Sequence, residues 1–157
     1  MEKDMGLNIR RVVTGHDSAG KPVVVLDDRG EYTASWRPHM EQQQFWTTAD
    51  LPVEIDSANS DKGARRAGTT IAGGSIFKVV EFGPGVTPRI HRTDSIDYAV
   101  VLSGEIDMAL GEDREVHLVA GDTLIQRATI HNWINRGTEP CRIAFVLISA
   151  NGNSAIG

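Results

Sequence analysis

Apolar and polar residues alternate with a period of two along much of the chain, in short runs closed by turn residues, which is the pattern of half-buried strands rather than of helices. In Glu105-Ile106-Asp107-Met108-Ala109-Leu110 the apolar set Ile106, Met108 and Leu110 shares one face and the acids take the other. Strands are predicted over Ile76 to Phe82, Thr87 to His91, Tyr98 to Leu102, Glu105 to Leu110, Arg114 to Val119, Thr123 to Ile125, His131 to Asn135 and Cys141 to Ser149. Turns such as Gly83-Pro84-Gly85, Ser103-Gly104, Gly111-Glu112-Asp113 and Ala120-Gly121-Asp122 separate them. The spacing of about ten residues between strands is that of an all-β sandwich or barrel.

The first half of the chain is less regular. Ile9 to Thr14 and Val23 to Leu26 flank a Gly- and Asp-containing turn and read as a hairpin. Asp28 to Gln44 is polar and reads as a connecting arm, leading into a short strand over Phe45 to Thr48. Only Met40 to Gln44 has helix-forming composition, and it is too short to form a helix alone. Glu54 to Gly74, rich in Ser, Asp, Gly and Ala, reads as a long surface loop. One structural domain is expected, divided into an N-terminal arm, hairpin and loop (1–74), a barrel core (75–149) and a tail (150–157).

A length of 157 residues with 40% hydrophobic content agrees with one core. Sixteen Lys and Arg against 21 Asp and Glu leave a net charge of −5, which argues against a nucleic-acid partner. The single cysteine, Cys141, cannot form an internal disulfide and reads as a small buried hydrophobe. The longest apolar run, Ile143 to Ile148, is six residues, far short of a membrane span, and no apolar segment follows the charged N-terminus. A cytoplasmic protein is expected.

Two of the five histidines, His91 and His131, fall on predicted strands. Period two sets Arg89, His91 and Thr93 on one face, and Thr129, His131, Trp133 and Asn135 on one face of the later strand. If both faces point inward, the interior holds two imidazoles, a guanidinium and an indole. Gly85, five residues, His91-Arg92-Thr93, three residues, Asp97, six residues and Gly104 have the spacing of the first motif of the cupin superfamily, and Gly121-Asp122, His131 and Asn135 resemble its second. Over residues 75 to 149 the chain thus resembles cupins, which implies a double-stranded β-helix, or jelly-roll, barrel with the N-terminal hairpin as an arm. Two departures stand out: Thr93 replaces the second histidine of the first motif, and Asp97 replaces its glutamate.

The resemblance implies a divalent metal (iron, zinc, manganese or nickel) held by His91, Asp97 and His131, a two-histidine, one-carboxylate set. The alternatives are a metal-free pocket in which His91 and His131 act as acid and base, with Asp94 as a competing carboxylate, and purely structural histidines. Arg89 either pairs with Asp94 or Asp97 or holds a substrate carboxylate. Thr93, Gln126, Thr129, Trp133 and Phe145 are the further candidates for substrate contact, against turn or core roles. Trp36, Phe45 and Trp46 are expected to cap the barrel mouth or to be buried between subunits. Three functions follow: a lyase or isomerase moving a proton beside a carbonyl, a non-haem iron dioxygenase, or a non-catalytic binding module. The expected partner is a small anionic or carbonyl-containing molecule, with no nucleic acid and no membrane. A homodimer is expected, with the arm adding to a neighbour's sheet.

Overall fold

In the computed structural model, which describes residues 6–151, alternating side chains sort onto the two faces of one large sheet. The strands are β1 (Arg10–His16), β2 (Pro22–Arg29), β3 (Thr33–Arg37), β4 (Met40–Thr48), β5 (Ser75–Phe82), β6 (Ser95–Ser103), β7 (Glu105–Leu110), β8 (Arg114–Val119), β9 (Thr123–Arg127), β10 (Asn132–Ile134) and β11 (Cys141–Ser149). A 3₁₀ turn, Lys62–Ala64, is the one helical element among the described residues. The large sheet has the order β3-β4-β5-β11-β6-β9, a second sheet the order β10-β7-β8, and β1 and β2 form a hairpin.

Registers across the large sheet build its inner face. Val80 lies opposite Gln42 and Ile143, and Ile143 opposite Val101. Lys78 lies opposite Gln44 and Phe145, and Phe145 opposite Ala99. Among them Val80, Ala99, Val101, Ile143 and Phe145 form one apolar core with Ile106, Met108, Leu118 and Trp133 of the smaller sheet. The two sheets therefore face each other as a jelly roll. On the outer face Leu7, Phe45 and Val79 form a second, smaller cluster, so Phe45 is a core residue and not a cap of the mouth. Cys141 is fully buried, as its apolar run predicts.

Gly104, in the turn between β6 and β7, shows why a glycine stands there. Its φ is +75°, and a Cβ would lie 2.4 Å from the Pro140 carbonyl oxygen.

Three local expectations are corrected. The polar stretch before Phe45 is not an arm but contains β3 and the start of β4, which pair within this chain's own sheet. Its glutamines are buried, and backbone groups satisfy two of them: Gln43 bonds both the N–H and the C=O of Ile9, and Gln44 donates to the Gly63 carbonyl. Paired in this way, a Gln-rich run tolerates a strand interior that its composition disfavours. Thr87 to His91 is not a strand, and only His91 is paired there. His131 precedes β10 instead of beginning it.

One buried cation ties the first half of the chain to the sheet. Arg11, 6% exposed, bonds Asp28 of β2 and Asp61 of the long loop at 2.6 and 2.8 Å, and donates to the Phe45 carbonyl of β4. Its guanidinium thus joins hairpin, loop and sheet through forked, charge-assisted bonds. Replacing Arg11 by Ala takes the cation from Asp28 and Asp61, and leaves Asp61 with only the Tyr32 hydroxyl and the Gly63 N–H, so a loss of ~2 kcal/mol in urea unfolding is expected. A loss below about 0.5 kcal/mol would mean that the bridge is only a solvated surface pair.

Candidate functional site

Between the two sheets lies a small pocket of about 60 Å³ that opens to solvent. His91 and His131 stand at this pocket on segments tied by reciprocal backbone bonds: His91 N–H donates to the His131 carbonyl at 3.1 Å, and His131 N–H to that of His91 at 3.0 Å. Their rings are 4.4 Å apart between centroids. The Nδ1 of His91 lies 2.9 Å from the Arg89 carbonyl oxygen, and that of His131 lies 2.8 Å from the Thr129 carbonyl oxygen. A carbonyl only accepts, so in both rings Nδ1 carries the proton and Nε2 of the neutral imidazole keeps its lone pair.

The electrostatics hold both rings neutral. Burial first, and then the positive charges of Arg89, Arg37 and Lys78, lower the pKa of His91. Burial pushes His131 down to about 4, with His91, Arg89 and Arg37 adding to the shift. Lys78 is buried at the floor of the pocket, where its Nζ donates to Gln42 Oε1 at 3.0 Å and lies 5.4 Å from the centroid of the Trp36 ring. Burial brings its ammonium down to about 8, against the opposing pull of Asp97. The Nε of Arg37 is buried without a hydrogen-bond partner among the described residues. Apolar walls complete the pocket, among them Met40, Phe82, Trp133 and Phe145.

The expected site residues divide. His91, His131, Arg89, Thr93, Asp97, Trp133 and Phe145 all line the pocket. Trp133 and Phe145 are both wall and core, with ring centroids 6.1 Å apart. Trp36 caps the mouth, as expected, while Trp46 lies opposite Phe77 on the paired strand β5. Asp94 points away: its side chain is 62% exposed and pairs with Arg92, so the strand phase that turns it from His91 prevails over the turn that would bring it inward. Arg89 has no ion pair with Asp94 or Asp97; its backbone N–H is held by Asn132 Oδ1. Gln126 is buried outside the lining and donates weakly to the Thr129 carbonyl, which also receives His131 Nδ1; Thr129 thus acts through its backbone.

Arg37 and Lys78 are the residues that sequence reasoning missed. Lys78 left a signal: in Ile76-Phe77-Lys78-Val79-Val80 it occupies the phase of Ile76 and Val80, an apolar phase in which a lysine is out of place. Arg37 sits in a polar hairpin and left none.

The side chains present do not fit the three-ligand metal centre that the motif implies. The two Nε2 lone pairs are suitable donors, but among the described residues no three His, Cys, Asp or Glu side chains are grouped as a metal ion requires. Asp97 is turned to Ser95, whose Oγ donates to it at 2.6 Å, and Ser95 Oγ lies 2.8 Å from Thr93 Oγ1. Burial raises the pKa of Asp97. Three cationic side chains against that one carboxylate favour an anion over a divalent cation.

The family model of the cupin domain matches residues 78–148. The cupin-domain-containing oxidoreductase fogC of Aspergillus ruber is 37% identical over 150 residues, covering 90% of this chain and 72% of that protein. The cupin-domain-containing oxidoreductase srdD of Neurospora crassa is 30% identical over 150 residues, covering 89% and 74%. Both likenesses extend well before residue 75, where the motif resemblance begins. In fold, an uncharacterized conserved protein with a double-stranded β-helix domain from Klebsiella pneumoniae matches with a TM-score of 0.51 at 22% identity, covering 78% of this chain and 88% of that one. No helix among the described residues is long and apolar enough to cross a membrane. With the glycine-spaced motif, the jelly-roll pairing of the two sheets and relatives along most of its length, the chain belongs to the cupin superfamily.

Proposed function

We propose that this cupin is an enzyme that binds a small organic anion with an apolar body and moves a proton beside its carbonyl group, as a lyase or isomerase. The observation that carries the reading is the charge of the pocket: Arg37, Lys78 and Arg89 face two neutral imidazoles and one carboxylate between aromatic walls. The two guanidiniums take the anionic end, and the Arg37 Nε–H is a donor with no partner to give up among the described residues. Phe82, Trp133 and Phe145 pack against the apolar body. The Nε2 of His91 or His131 takes the proton, and each Nδ1–H stays anchored to its backbone carbonyl, so the base is oriented before substrate arrives. Charge from the cations stabilises the enolate that forms.

Phenylpyruvate, an aromatic oxo acid, is a direct probe. In D₂O the protein is expected to exchange its methylene protons, read by NMR, and His131→Gln is expected to slow exchange ~100-fold or more. Arg37→Ala is expected to weaken binding of the same probe ~10-fold or more, read by tryptophan quenching, because it removes a charge-assisted bond. Exchange no faster than in buffer would overturn proton transfer as the reaction. The names of the relatives favour a second reading, an oxidoreductase. Oxygen uptake matching probe loss, without proton exchange, would support it.

Housing an ammonium in this pocket costs stability. Unfolded, Lys78 keeps its proton up to about 10.5, whereas folded it releases it near 8. Between those values the unfolded chain holds more protons, so stability rises with pH through the window, by on the order of 3 kcal/mol in total. Urea unfolding at pH 7.5 and 10 is expected to show the rise in wild type and a flatter profile in Lys78→Met. Equal slopes in the two proteins would place the pH dependence elsewhere.

A further inference from the structure

Of the four lysines in the sequence, Lys21 and Lys62 are exposed, Lys78 is buried in the pocket, and Lys3 lies outside the described residues. We propose that Lys78 is a covalent catalytic residue, whose Nζ attacks the carbonyl carbon of a small aldehyde or ketone that also carries an anionic group, forming an imine in the pocket. The inference rests on the reading of the pocket as a site for an organic anion and adds the reacting functional group.

Placement carries the argument. Strand register puts Lys78 opposite Phe145 and Gln44, and its side chain reaches the space shared by His91, His131 and Asp97. Its described partners, the Gln42 amide oxygen and the Trp36 ring, are both neutral, so no carboxylate has to release the amine before it reacts. Anion binding does not call for a lysine here, because Arg37 and Arg89 supply permanent charge in a planar fork; a compact amine adds nucleophilicity, which a guanidinium lacks. Burial also favours the neutral amine.

The step balances without an oxidant or reductant. Nζ gives up one proton, and its lone pair forms the C–N bond as the carbonyl π electrons move to oxygen. The nitrogen, once bonded to carbon, gives up a second proton; the carbinolamine oxygen takes up both released protons and leaves as water, while the nitrogen lone pair closes the C=N bond. Ammonium plus carbonyl thus becomes protonated imine plus water. The imine draws electrons from a neighbouring C–H or C–carboxylate bond, which eases the proton transfer proposed above.

4-Carboxybenzaldehyde supplies a ring, a carboxylate and a carbonyl but has no proton that can enolise, so it separates imine formation from proton transfer. Incubated with the protein and sodium cyanoborohydride, it is expected to leave a single secondary-amine adduct by intact mass, mapped by peptide digestion to Lys78. Lys78→Met and Lys78→Arg are expected to lose that adduct while keeping the wild-type circular dichroism, and terephthalate, which has no carbonyl to trap, is expected to quench the tryptophan fluorescence of the wild-type protein. Adduct spread over Lys3, Lys21 and Lys62, or unchanged in both variants, would overturn the imine. Quenching by the aldehyde without trapping would overturn it too and leave the anion site standing, whereas no quenching by aldehyde or terephthalate would remove both.

Discussion

The ammonium of Lys78 points into the barrel because Ile76 and Val80 do: strand period leaves it on the buried face of β5, between apolar neighbours. A buried ammonium with a neutral partner is costly, and the pocket is built around that cost. Gln42 offers an amide oxygen from β4, Trp36 a ring face from β3, and Asp97 a compensating charge from β6. Each comes from a different strand of the same sheet. The arrangement depends on the register that sets β5 between β4 and β11, with β6 beyond.

The histidines solve a different problem. A base works when its lone pair is fixed in direction and unprotonated at the working pH. Here one backbone bridge fixes the separation of the two segments, two carbonyls fix the tautomers, and burial together with nearby cations keeps the rings neutral. The chain achieves this with a threonine where the motif has its second histidine, and Thr93 joins Ser95 and Asp97 in a hydroxyl–carboxylate chain. The threonine there makes a polar wall and not a hole.

The sequence made the all-β architecture legible because β6, β7 and β11 alternate and glycine turns separate the strands. His91 and His131 lie outside the strands, and it was the motif spacing that pointed to their meeting. Met40 to Gln44 was not legible as a strand, since its pairing depends on the backbone of Ile9 and Gly63, far away in the chain. Thr87 to His91 failed in the opposite sense: a β-rich composition is not enough where Pro88 and the loop geometry leave only His91 paired. Asp94 and Asp97 are three residues apart, and phase alone separates the exposed one from the buried one. Arg37 could be found only by folding the chain, because what matters is the neighbourhood of its Nε, and no local pattern encodes it.

Strand β3, which brings Trp36 and Arg37 to the mouth, is the edge of the large sheet and pairs only with β4. The lysine and the two histidines sit deeper, on segments paired on their far sides or bridged to each other. Of the two guanidiniums proposed to hold the anion, Arg37 therefore sits on an edge hairpin, whereas Arg89 sits beside His91. A change at the tip of that hairpin would alter what the mouth admits without disturbing the register that holds Lys78 on β5.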